Sequence, residues 1–173
     1  MFFARLFVTL HPDLRNIMEV VHKVLPNNEI LSELIKLVNE GKRVTLPVKG
    51  NSMLPFIIGG RECVELVKPE TVAVCDVVLA WINGCRFVVH RIIRIEGNQV
   101  QLMGDGNLTA EEYCTISDVK ARAEYVITPH GKRRYLYTPQ RLRFSRLWSK
   151  LLPVRRWILA VYRRTLLKLN IHI

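Results

Sequence analysis

The chain has 173 residues, 49% of them hydrophobic, and a formal net charge of +11. That is enough apolar material for one packed domain with an appendage, which excludes an intrinsically disordered chain. Residues 1–124 carry 14 Lys and Arg against all 15 acids, whereas residues 125–173 carry 12 Lys and Arg and no acid, so the basicity is a property of the C-terminal part and not of the whole surface.

Three parts follow in order: an N-terminal helical segment over 1–43, a β unit over 44–130 and a basic amphipathic segment over 131–173. The stretch "MFFARLFVTL" has Arg5 inside it and is far short of the about 20 apolar residues that a membrane span needs. Between the breakers Pro12 and Pro26, a helix is predicted from Asp13 to Val24. A second is predicted over "NNEILSELIKLVNEGK": Asn28 can cap it, Glu29 and Glu33 suit its positive end, and Ile30, Leu34, Leu37 and Val38 form a stripe. Gly41 stands where a C-terminal cap belongs.

Beyond Gly41 the period changes from helical to strand-like. "RVTLPV", "CVELV", "DVVLAWI", "RFVVHRIIRI", "QVQLM" and "VKARAEYVIT" are short β-branched runs, and "NG" at 83–84 with "EGN" at 96–98 joins three of them into a meander. In the central strand Phe87, Val89, Arg91 and Ile93 share one face, and Val88, His90, Ile92 and Arg94 share the other. From Thr138 onward, "PQRLRFSRLWSKLLPVRRWILAVYRR" places Phe144, Leu147, Trp148 and Leu151 at helical spacing among cations. Pro153 then interrupts or restarts the helix ahead of Trp157, Ile158, Val161 and Tyr162. The cysteines, Cys63, Cys75, Cys85 and Cys114, form no C-x-x-C pair, which favours reduced, mostly buried thiols and no metal site. No cofactor is implied.

Three spots pair a reactive side chain with suitable local geometry. Ser52 in "VKGNSMLPFI" lies between the turn formers Gly50 and Pro55; it is either a polar residue at a bend or a nucleophile, and a nucleophile needs a base and an oxyanion donor. His90 is fixed by a strand, and imidazoles titrate near neutrality, which suits a general base; the alternative is a structural strand histidine. His11, His22, His130 and His172 fall in ends or loops where nothing orients them, and Lys49 reads as a solvated charge. Asp105 in "LMGDGN" follows a strand between Gly104 and Gly106, and it can either orient His90 or bond its own turn.

The order of "GNSMLPFIIGGRECVEL", "VCDVVLAWINGCRFVVHRIIRI" and "QLMGDGN" resembles the signal peptidase I superfamily of serine peptidases, which includes LexA- and UmuD-like self-cleaving proteins. The resemblance covers roughly residues 44–125 and is similar in "VVHRIIRI" to the Ser-His branch found in the endoplasmic reticulum and in archaea. It implies a mainly β (α+β) fold: a LexA/signal-peptidase-like antiparallel β unit with N-terminal helices and a C-terminal basic amphipathic helical tail. It further implies Ser52 as nucleophile, His90 as base and Asp105 as acid. Met53, Pro55, Asp76, Arg91 and Gly104 would shape the site, with Cys75 standing where the family's Gly-Asp strand has glycine.

The function so implied is cleavage of a peptide or protein precursor by a serine endopeptidase without metal or cofactor. Its alternative is a non-catalytic interaction module on the same scaffold. For the basic segment 139–173 the composition leaves three partners open: an anionic membrane surface, nucleic acid, or the chain's own core, with the Arg-flanked Leu and Trp pattern suiting a bilayer better than a groove. The expected location is cytoplasmic or peripheral on a membrane surface, with no transmembrane helix.

Overall fold

The computed structural model describes residues 7–9, 18–19 and 27–165. Strands β1 (Phe7–Thr9) and β2 (Met18–Glu19) precede helix α1 (Asn27–Asn39), after which come β3 (Arg43–Pro47), β4 (Cys63–Val67), β5 (Val77–Ile82), β6 (Arg86–Glu96), β7 (Gln99–Met103), β8 (Glu111–Thr115), β9 (Val119–Ile127) and β10 (Arg133–Tyr135). Two helices, α2 (Pro139–Lys150) and α3 (Leu152–Arg164), close the described chain. The strands form one sheet in the order β2-β1-β3-β4-β9-β5-β6-β7-β8, with β10 added on β9, and every pairing is antiparallel. The described residues are therefore mainly antiparallel β with three α-helices, as the sequence periodicities imply.

Helix α1 ends where Gly41 was expected to end it. Gly41 has φ +81°, its N–H donates to Val38 C=O at 3.0 Å, and Lys42 N–H donates to Leu37 C=O at 3.0 Å. These are the paired bonds of a Schellman cap, which only a residue tolerant of left-handed φ closes cheaply. The side chains of Asn28 and Glu29 lie outside the described residues. Ile30, Leu34 and Val38 are buried on Val44, Val64, Leu66, Leu79, Ala121, Ala123 and Val126. Each such aliphatic anchor contributes about 1.5–3 kcal/mol of burial free energy.

Strand β5 is buried on both faces. Val77 and Leu79 join the α1 core, while Val78, Ala80 and Ile82 join a second cluster with Val88, Ile92, Val100, Leu102 and Cys114. The alternation of a strand thus divides one apolar run between two cores. The β5–β6 hairpin turns through Asn83 (φ 52°) and Gly84 (φ 65°), the pair of positive angles that "NG" favours. All four cysteines are free; Cys75 and Cys114 are buried, and burial pushes the Cys114 thiol up to about 11.

One N-terminal expectation is corrected. Met18–Glu19, inside the stretch predicted as helix from Asp13 to Val24, is a strand whose Glu19 pairs with Val8 and Met18 with Thr9. Strand β1 in turn pairs with β3, so backbone pairing at a sheet edge outweighs a weak helical pattern there. The remainder of that predicted helix lies outside the described residues.

Residues 131–165, read from composition as a basic appendage, pack against the β unit. Strand β10 extends the sheet, and α2 and α3 bury Trp148 and Leu159 with Leu54, flanked by Phe56, Ile58, Leu151 and Tyr162. No described helix is long and apolar enough to cross a membrane.

Candidate active site

The loop between β3 and β4 carries Ser52, and its shape is fixed by bonds to its own ends. Val48 N–H donates to Glu62 C=O at 3.1 Å, Gly60 N–H donates to Val48 C=O at 2.7 Å, and the buried Glu62 carboxylate accepts Ile58 N–H at 2.7 Å. Arg134, on β10, clamps the same loop by donating to Phe56 C=O at 2.6 Å and to Glu62 at 3.3 Å. Met53 is buried in the α1 core and so anchors the turn beside Ser52, which itself stays half-buried; the Leu54–Pro55 peptide bond is cis.

A second loop, between β7 and β8, lies directly on the first. Gly106 N–H donates to Ser52 C=O at 2.6 Å. A Cβ at Gly104 would sit 2.5 Å from Ser52 O, and one at Gly106 would sit 2.4 Å from Asn51 O. No larger residue fits at either position without moving the backbone that carries Ser52. The glycines of "GDGN" are therefore required by close approach, not by dihedral freedom.

Asp105, between them, does not reach His90. Its two carboxylate oxygens accept from Arg91 Nε and Nη2, each at 2.8 Å, and both residues are buried. Arg91 Nη1 also donates to Cys75 C=O at 2.8 Å, and its guanidinium lies 5.1 Å from the centre of the Phe56 ring. Burial works against the charge on Arg91, but the Asp105 carboxylate reverses that and holds the guanidinium above its ordinary value. Asp105 thus contacts Arg91 and not the histidine that the resemblance implies it would orient. It is half of a buried, bidentate ion pair that ties the Gly-Asp loop, the Cys75 bend and the Ser52 loop to β6.

The carboxylate on His90 is Glu112. His90 Nδ1 lies 2.6 Å from Glu112 Oε2, with the imidazole buried, and Glu112 also pairs with Arg86. The register explains the contact. Leu102 pairs with Ile92 on one side and with Glu112 on the other, so the three side chains share a face, and His90, two residues before Ile92, shares it too. An ionised carboxylate only accepts, so the His90 proton belongs on Nδ1 and the Nε2 lone pair is left available.

Ser52, His90 and Glu112 line one cavity of about 630 Å³, together with Lys49, Asn107 and the apolar Leu46, Val48 and Phe87. Ser52 and His90 are not hydrogen-bonded to each other. Among the described residues, Ser52 Oγ and His90 Nε2 have no partner, and Ser52 N–H donates to none. His130 is exposed in the turn between β9 and β10; His11, His22 and His172 lie outside the described residues. Among the described residues no three His, Cys, Asp or Glu side chains gather as a metal site.

Cys75 has φ +81°, in the left-handed region, at the position where the resembled family has glycine. Its N–H donates to Ile92 C=O at 2.9 Å, and Asp76 beside it accepts Ala73 N–H at 2.9 Å, with burial pushing the Asp76 carboxyl up. Asp76 thus closes the bend entering β5. A β-branched side chain is strained at this angle, so Cys75→Val is expected to destabilise the fold by about 2 kcal/mol or more, and Cys75→Gly by less. Urea unfolding of the two variants checks this; equal losses would mean that packing, and not φ, decides the site.

The sheet edge hides what sequence reasoning missed. Strand β8 reads "EEYCT" and buries only Cys114, so it carries neither alternation nor an apolar run. The one usable signal is position: Glu112 follows the Gly-Asp loop at the distance a returning strand needs. No protein-family model, curated protein or solved structure gives a significant match to this chain.

Proposed function

We propose that the chain is a serine endopeptidase on a signal-peptidase-like, LexA-like β fold, with Ser52 as nucleophile, His90 as general base and Glu112 as the group that orients the base. The observation that carries this reading is the shared cavity: Ser52, His90 and Glu112 all line it, and Glu112 engages Nδ1 of the imidazole so that Nε2 is the atom free to take a proton. Support from the chain's order is independent: a serine turn, a bend with glycine-like φ at Cys75, a histidine strand and a Gly-Asp loop pressed against the serine follow one another as in the resembled family.

In the first half-reaction Ser52 Oγ attacks the peptide carbonyl carbon as its proton passes to His90 Nε2. The Ser52 N–H faces no competing acceptor among the described residues and serves as an oxyanion donor. The imidazolium, stabilised by Glu112, then gives that proton to the departing amine, leaving an acyl ester on Ser52. Water, deprotonated by His90, hydrolyses the ester and restores the serine. The Ser52–His90 hydrogen bond forms with substrate in place, as such bonds tighten from looser geometry in substrate-free enzymes.

The test is cleavage of a mixed peptide library followed by mass spectrometry. Wild type is expected to cut, and Ser52→Ala and His90→Ala are expected to fall to background. Equal cutting by Ser52→Ala would sink the nucleophile assignment. Absence of cutting by the wild type would instead favour the non-catalytic interaction module.

A further inference from the structure

Helix α3 is two-faced in a way its charge alone does not reveal. Its inner face is spent: Arg155 and Leu159 are buried, and Arg155 donates to Asn107 C=O at 3.0 Å and to Trp148 C=O at 2.8 Å. A second face is open. Val154, Trp157, Ile158 and Val161 follow the spacing i, i+3, i+4, i+7 and are 45%, 71%, 39% and 62% exposed. Arg164 and Arg156 border this stripe on its Trp157 side, the Arg156 guanidinium 6.0 Å from the centre of the Trp157 ring, and Arg163 lies on the helix back, all three exposed. No acid occurs anywhere in residues 125–173.

We propose that this outer face of α3 docks in plane on an anionic lipid surface, with the Val154–Trp157–Ile158–Val161 stripe inserted at headgroup depth and Arg156 and Arg164 on the lipid phosphates. Charge complementarity decides the occupant. A second copy of the same face would set arginines against arginines with no acid to pair them. Nucleic acid takes cations at the centre of its contact, whereas here the centre is apolar and the cations lie along its edge. An apolar stripe holding an exposed Trp beside a basic edge is the arrangement of an interfacial helix, and a helix of 13 residues is too short to span but long enough to lie flat. Because the inner face of α3 holds the Gly-Asp loop through Arg155, a docked α3 fixes the orientation of the Ser52 cavity relative to the lipid surface. The docking itself stands whether or not Ser52 is a nucleophile.

Sedimentation of the full chain with vesicles tests this, comparing pure phosphatidylcholine with equal parts phosphatidylcholine and phosphatidylglycerol. Wild type is expected to bind the anionic vesicles and to be released by high salt. Trp157→Ser with Val161→Ser is expected to lower binding roughly tenfold or more. Arg156→Gln and Arg164→Gln are each expected to lower it about fivefold. These side chains are exposed, so unchanged far-UV circular dichroism in each variant shows that the fold is kept. The proposal is overturned if wild type ignores anionic vesicles, or if the Trp157→Ser, Val161→Ser variant binds them as wild type does. It is also overturned if the same substitutions abolish a tighter binding to a DNA or RNA oligonucleotide, or self-association without lipid.

Discussion

Glu112→Gln is expected to lower peptide cleavage by about 10²–10⁴-fold while leaving the melting temperature close to that of the wild type. The amide keeps the size of the carboxylate but not its charge. In the proposed mechanism it would no longer stabilise the imidazolium formed as Ser52 attacks, and it can hold the ring in the wrong tautomer by donating to Nδ1. The expected stability change is small because the second partner of Glu112, Arg86, is 58% exposed, and solvent-screened pairs contribute about 0–1 kcal/mol. Kinetics and thermal melts of the same preparation check both halves. Cleavage within twofold of wild type would remove Glu112 from the mechanism.

Substitution at the neighbouring ion pair is expected to act in the opposite way. Arg91→Met leaves the buried Asp105 carboxylate without its bidentate partner, and Asp105→Ala leaves a buried guanidinium, each costing about 3–5 kcal/mol. For a chain of this size that corresponds to a fall of roughly 6–20 °C in melting temperature. Activity is expected to fall only as the folded fraction falls, and the double variant Arg91→Met, Asp105→Ala is expected to recover part of the loss because no lone charge remains. Were Asp105 the acid serving His90, its removal would cut the rate of the folded enzyme while sparing stability. The two measurements on Glu112 and Asp105 therefore separate two acids that the chain presents seven residues apart.

The contrast between those acids also marks where sequence reading stops. Strands β3 to β7 and β9 were legible because each is a short run rich in β-branched and apolar residues, whether alternating as in β9 or buried on both faces as in β5, and the Asn83–Gly84 turn because its dihedral angles demand those residues. The serine turn, the histidine strand and the Gly-Asp loop were legible from their order. The partner of Asp105 was not, because His90 and Arg91 are successive residues on a strand and point to opposite faces. A shift of one position in the approaching loop exchanges a contact to the histidine for one to the arginine. Glu112 was hidden because an edge strand needs few buried residues to pair. The basic helices presented a third ambiguity: Trp148 and Trp157 sit in similar Arg-rich surroundings, yet Trp148 is 2% exposed and Trp157 71%. Local pattern assigns an apolar stripe but does not say what covers it.

The bonds from α2 and α3 to the Gly-Asp loop also order events in time. Trp148 Nε1 donates to Asp105 C=O at 2.8 Å across 43 residues of sequence, and Arg155 reaches Asn107 C=O across 48. During synthesis from the N-terminus, the loop that braces Ser52 is made first and waits for donors that do not yet exist. Those two bonds form only when the helices have left the ribosome and folded back, so the nascent chain holds the serine turn by its own bonds and by Arg91 before it gains this outer brace.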